Sequence, residues 1–212
     1  MQEKSERYDP YTVYDPPEEL ILFRSITRPL AKRLKDTWIH PNYITVFGFL
    51  LTVACGLLFL DGNQQSLILG AVMLYLSFFL DKLNGDLARE KKVASEFGYF
   101  FDSACDIFGD TYVFIMLYLG SKIPLNPLVV ILAIVSPLLF YYHHLASLLY
   151  LKKGVITAKT KASIFAYNRA RHILTVVFFV VIGRLDLLFL AFAIFNIYVL
   201  ILFVKSLVNN WR

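Results

Sequence analysis

The chain has 212 residues, 58% of them hydrophobic and 17% charged, with a formal net charge of +5. One domain's worth of chain with a mean hydropathy of +0.59 is too apolar for a soluble globular protein, and no nucleic-acid partner is expected of it. Its two cysteines, Cys55 and Cys105, each lie in an apolar run and suggest no disulfide framework, and the polar first nineteen residues do not read as a cleavable signal peptide.

In chain order, residues 1–19 carry Pro10, Pro16 and Pro17 among tyrosines and acids and read as an irregular tail. Residues 20–39 read as an amphipathic juxtamembrane helix. Phe23, Ile26, Leu30 and Leu34 form its apolar stripe, and Arg24, Arg28, Lys32 and Lys35 a basic one suited to anionic headgroups. Pro29 is expected to kink this helix or to start a second segment. A Pro41-Asn42 entrance, ordinary capping chemistry, then opens residues 40–212. Six apolar segments follow, near 43–60, 66–89, 95–119, 125–151, 163–183 and 185–204. Each is long enough to cross about 30 Å of hydrocarbon at about 1.5 Å per residue. The fold class is therefore all-α, a polytopic membrane protein of six transmembrane helices. Sixteen of the 21 lysines and arginines fall on one side of these spans, while the opposite loops hold only Lys122 and Arg184. The positive-inside rule places both termini in the cytoplasm of a cell-membrane protein.

The most informative stretch, 81–106, reads DKLNGDLAREKKVASEFGYFFDSACD. An acid at mid-bilayer costs roughly 2.5–3.5 kcal/mol on insertion scales, so several acids here require compensation by cations or water. Asp81, Gly85 and Ala88 share one helix face, and Gly98, Asp102 and Asp106 repeat at i+4 on the next helix. Two such faces meeting give a carboxylate cluster beside a small-residue cavity, a setting that hard divalent cations prefer. The charge asymmetry puts it near the cytoplasmic surface. Asp110 extends the acidic face by one further step. The competing reading is a polar helix pair forming a buried hydrogen-bond network.

In the fourth segment Tyr141-Tyr142-His143-His144 reads as an interfacial helix end, since adjacent histidines cannot share a face. In the fifth, Asn168, Arg171 and His172 share a face, and Arg169 lies well around the helix from Arg171. Arginine within a span faces protein or water and pairs with an anion, for which phosphate is a natural partner; the alternative is snorkelling to headgroups.

The 81–106 stretch resembles the signature of the CDP-alcohol phosphotransferases, D-x2-D-G-x2-A-R-x8-G-x3-D-x3-D. Asp81, Gly85, Ala88, Arg89, Gly98, Asp102 and Asp106 match at the right gaps, and Asn84 stands where the family has its second aspartate. The resemblance implies transfer of a substituted phosphate from a CDP-alcohol donor, CDP-diacylglycerol or a soluble one, to an acceptor hydroxyl, with release of CMP. It implies two divalent ions, Mg2+ or Mn2+, held by Asp81, Asn84, Asp102 and Asp106, with Asp106 as catalytic base. Pro41, Asn42 and Thr45, which resemble the family's segment before the first span, would bind the nucleotide together with Gly85, Ala88, Arg89 and Gly98. Lys159, Arg169, Arg171 and His172 are assigned to the acceptor, which a phosphorylated alcohol would suit. Residues 40–212 become the catalytic domain, the resemblance adds a homodimer, and the arrangement is closest to enzymes making inositol-phosphate-type phosphodiesters. Asn84 supplies an amide oxygen but no charge, so metal affinity should fall, whether in a natural variant or through an engineered change. An intramembrane cation transporter or a catalytically silent relative is the alternative.

Overall fold

Every regular element among the described residues of the computed structural model, 19–135, 137–138 and 169–210, is a helix. A π-helical turn, Leu20–Arg24, leads into α1 (Ser25–Leu34), followed by α2 (Pro41–Asp61), α3 (Gln64–Glu90) and α4 (Glu96–Ser121). Helical backbone covers 127–135, and the chain is described again in α5 (Arg169–Val181) and α6 (Leu185–Asn210). Most of the expected tail, much of the fourth apolar segment and Lys159 lie outside the described residues. α2 and α3 are long and apolar enough to cross a membrane.

Local chemistry sets the helix ends. Pro41 sits at the first turn of α2, where its missing N–H is no loss, and His40 Nδ1 accepts the amide of Asn42 at 3.2 Å. Asn63 Oδ1 caps α3 by accepting the Ser66 amide at 2.9 Å, and Ser95 Oγ caps α4 by accepting that of Gly98 at 3.0 Å. α3 ends in a Schellman turn, with Val93 N donating to Ala88 O and Lys92 N to Arg89 O, both at 3.0 Å. Lys92 occupies the left-handed position at φ 57°, which a glycine would take without strain. This turn returns the chain so that the acids of α4 follow closely on those of α3.

α3 is the organising helix: α1, α2 and α5 all pack on it, α4 packs on α2, and α6 on α5. Cys55, Phe59, Leu74, Phe78, Leu117 and Val176 belong to the main core. Phe114 joins α4 to α6 edge-on through Phe192, with ring centroids 4.9 Å apart. At the far end from the acids, Gly62 turns the chain at φ 73° directly against Gly120. A methyl group on Gly120 would lie 1.9 Å from the Phe59 carbonyl oxygen, a backbone atom that cannot step aside. Gly120→Ala should therefore cost roughly 1–3 kcal/mol and lower the melting temperature in detergent. Gly85→Ala, whose methyl meets only the Arg89 guanidinium at 3.7 Å, should leave it unchanged.

The inward face of the π-helical turn and α1 follows the expected stripe only in part: Phe23 is buried and Leu30 and Leu34 pack against a core cluster, but Ile26 is exposed. Arg24, Thr27 and Ala31 are buried as well. Arg24 thus faces the protein instead of headgroups, because α3 presents the buried carboxylate of Asp86 to it. Pro29 lies inside α1.

Candidate active site

The i+4 spacings bring the acids together as expected. One carboxylate oxygen from each of Asp81, Asp102 and Asp106 lies within 4.8 Å of the others. Asp81 comes from α3, Asp102 and Asp106 from α4, and Thr45, on α2, closes the group by donating to Asp102 Oδ1 at 3.3 Å. Thr52, Ser77 and Cys105 line the same cleft, whose remaining space is about 10 Å3, on the order of one water. Below it Thr52 Oγ1 and Ser77 Oγ lie 2.6 Å apart, and one hydroxyl donates to the other while the second donates to the Gly48 carbonyl, which is 3.1 Å from Thr52 and 2.9 Å from Ser77.

Asn84 is buried and turns its amide nitrogen to the acids. Nδ2 donates to Asp102 Oδ1 at 2.7 Å and to Thr45 Oγ1 at 2.8 Å. An ionised carboxylate only accepts, so the nitrogen is the side of the amide that suits an ionised Asp102. An aspartate here would set two carboxylates against each other.

Arg169 supplies the main counter-charge. Its Nη1 lies 2.8 Å from Asp106 Oδ1 and 3.2 Å from Asp81 Oδ2. On its other edge Nε and Nη2 donate to the two oxygens of Asp110, at 3.0 and 3.1 Å, the bidentate geometry open to arginine. The guanidinium sits over the Phe78 ring, 5.5 Å from its centroid. Lys82 Nζ adds a second cation, 3.4 Å from Asp81 Oδ2 and 3.5 Å from Glu19 Oε2. The three-dimensional role of Asp110 was open in the sequence; only the approach of α5 decides that it grips Arg169.

A second acid lies behind the first group. Asp86 is 4% exposed, and its Oδ1 accepts from Arg24 Nη1 at 3.0 Å and Arg89 Nη2 at 2.6 Å, its Oδ2 from Thr27 Oγ1 at 2.6 Å. Sequence reasoning left Asp86 without a partner. The i, i+3 spacing to Arg89 was the available signal, whereas Arg24 lies 62 residues away.

The remaining expected site residues are distributed as follows. Pro41 is buried at the entrance of α2, and Asn42 lies beside the first turn of α4, its Oδ1 3.8 Å from where a methyl on Gly98 would stand. Gly85 and Ala88 are half-buried on α3 beside Arg89. Arg171 is exposed, and His172 is buried between Phe114 and Phe192, with ring centroids at 5.2 and 4.6 Å, off the lining of the cleft.

Residues 38–204 match the family model for CDP-alcohol phosphatidyltransferase. The chain belongs to that family. Among curated relatives it is 36% identical over 94 residues to archaetidylinositol phosphate synthase of Pyrococcus horikoshii, covering 44% of this chain and 48% of that one. It is 33% identical over 92 residues to phosphatidylinositol phosphate synthase of Mycobacterium marinum, covering 43% and 38%. These alignments span less than half of either relative. The fold matches the crystal structure of Mycobacterium tuberculosis phosphatidylinositol phosphate synthase with CDP-DAG bound, with a TM-score of 0.63 at 22% identity over 82% of this chain and 89% of that one. A complex of the same synthase with manganese and citrate matches equally, with a TM-score of 0.63 over 88% and 90%.

The donor set fits a divalent ion. Three carboxylates converge from two helices, and oxygen ligands of this kind suit magnesium or manganese.

Proposed function

We propose that this protein is an integral-membrane transferase that moves a substituted phosphate from a CDP-alcohol to an acceptor hydroxyl, releasing CMP, in the synthesis of phospholipids or polar phosphodiesters. The observation that carries this reading is the convergence of Asp81, Asp102 and Asp106 at one cleft, in a chain matching the family over residues 38–204. The names of the relatives favour a CDP-diacylglycerol-type donor and an inositol-phosphate-type acceptor.

In this reading Asp81, Asp102 and Asp106 hold divalent metal, Mg2+ or Mn2+, which when bound offsets negative charge on the diphosphate and on the leaving group. Asn84 orients Asp102 through its amide nitrogen. Asp106 takes the proton of the acceptor hydroxyl as that oxygen bonds to the phosphorus bearing the donor's alcohol. The bond from that phosphorus to the oxygen bridging to CMP breaks, and CMP departs with the electron pair. Gly85 and Ala88 leave room for the nucleotide, Arg89 meets its phosphates, and Pro41, Asn42, Thr45 and Gly98 border it. Arg171 and Lys159 are offered to the acceptor's phosphate, with Arg169 deeper in the site. His172 packs between aromatic rings and serves the seat of α5.

Membrane placement rests on α2 and α3 and on their outward residues. Leu50, Leu57, Val72 and Leu76 are exposed, as suits lipid contact. Six spans in residues 40–212, an interfacial α1, cytoplasmic termini and a homodimer complete the proposal. The test is CMP release by the purified protein in nanodiscs, from a panel of CDP-alcohols and acceptors with and without Mg2+ or Mn2+. Metal-dependent release with CDP-diacylglycerol and a phosphorylated inositol is expected. No release with any pair would overturn the reading.

A further inference from the structure

Asn84 and Arg169 alter the charge of the site in the same direction. Where the family signature has a carboxylate, this chain presents an amide that donates to Asp102. A guanidinium also stands between Asp81 and Asp106, where a cation shared by two carboxylates belongs. Arg169 is not a casual visitor to that position. Asp110 holds it by two hydrogen bonds on the opposite edge, and Phe78 lies beneath it. Asp110 is 3% exposed and Arg169 11%, so their attraction is screened little by water. With Lys82 on both Asp81 and Glu19, five carboxylates (Glu19, Asp81, Asp102, Asp106 and Asp110) face two cations, Lys82 and Arg169. The excess of three negative charges falls short of the four positive charges that two divalent ions carry. A second dication would sit beside Arg169 with no carboxylate at position 84 to offset the repulsion, and like charges at such distances repel strongly.

We propose that the site binds a single divalent cation per chain, with Arg169, clamped by Asp110, permanently holding the second cationic position. The inference rests on the transferase reading for what the cation does, and on this geometry alone for how many there are. Arg169 would stabilise charge as a metal does, with its position fixed by protein atoms and its protonation secure.

The experiment is a manganese titration of the full chain in nanodiscs, with free Mn2+ followed by its electron paramagnetic resonance signal and bound Mn2+ confirmed by elemental analysis. Saturation at one Mn2+ per unmodified chain is expected; saturation at two, or no binding, overturns the proposal. The unmodified protein decides this, so misfolding of a variant cannot hide the answer. Asn84→Asp combined with Arg169→Gln should raise the stoichiometry to two. A folded double variant, judged by its melting curve, that still takes one Mn2+ overturns the role given to Arg169. CMP release on the same samples separates the two readings. One Mn2+ bound without turnover on any CDP-alcohol sinks the transferase and leaves the stoichiometry standing, whereas turnover with two bound does the reverse.

Discussion

Asp106→Asn should lower CMP release by about 10²–10⁴-fold while the CDP-alcohol still binds, because positioned proton transfer contributes about that much. The substitution keeps the side chain's shape and removes its basicity. Arg169 retains Asp81 and both oxygens of Asp110, so the fold around the cleft should persist. The measurement is a single-turnover assay beside a donor-binding titration on the same preparation. A loss below about tenfold with intact donor binding would mean that another group takes the proton. Asp102 is then the next candidate, since it lies in the same cluster.

The second large effect concerns stability. Asp86→Ala removes the carboxylate on which Arg24, Thr27 and Arg89 converge, and with it the polar tie between α1 and α3. Removing one partner of a buried ion pair costs about 3–5 kcal/mol, because the other charge stays desolvated. Arg24 is 6% exposed and falls in that regime, whereas Arg89 at 33% is partly screened and adds little. Thermal unfolding in detergent should show the loss, with limited proteolysis striking first around α1. Pairing Asp86→Leu with Arg24→Met should recover much of the stability, since an apolar pair of similar volume avoids the desolvation. A loss under about 0.5 kcal/mol for Asp86→Ala would mark the contact as an ordinary surface pair.

These two residues also show where sequence reasoning succeeds and stops. The i+4 spacing puts Asp106 on one helix face with Asp102, a local rule, whereas its expected role as base comes from the resemblance to the family signature. Helices α2, α3, α4 and α6 lie where apolar run length places them, though α6 continues to Asn210, past the expected 204, since helical hydrogen bonding does not end where hydrophobicity does. Asp86 has the same residue type in the same stretch, but its meaning lies in Arg24, which only the docking of α1 on α3 reveals. Ile26 and Arg24 exchange their expected surroundings for the same reason. The apolar pattern describes what a helix can bury, while a buried carboxylate on its neighbour decides which side turns inward.

By itself, then, the sequence determined an all-helical chain, the family, and which acids share a face. Each follows from backbone periodicity and fixed gaps, and none depends on a distant residue. Tertiary structure alone decided the polarity of the site. α5 carries Arg169 into the carboxylates, Asp110 turns from a spare acid into its clamp, and Asn84 offers its nitrogen in place of its oxygen. The physical reason is that an arginine's reach and an amide's rotation are set by the charges it meets across helices, and those charges come from positions 59 and 18 residues away in the chain.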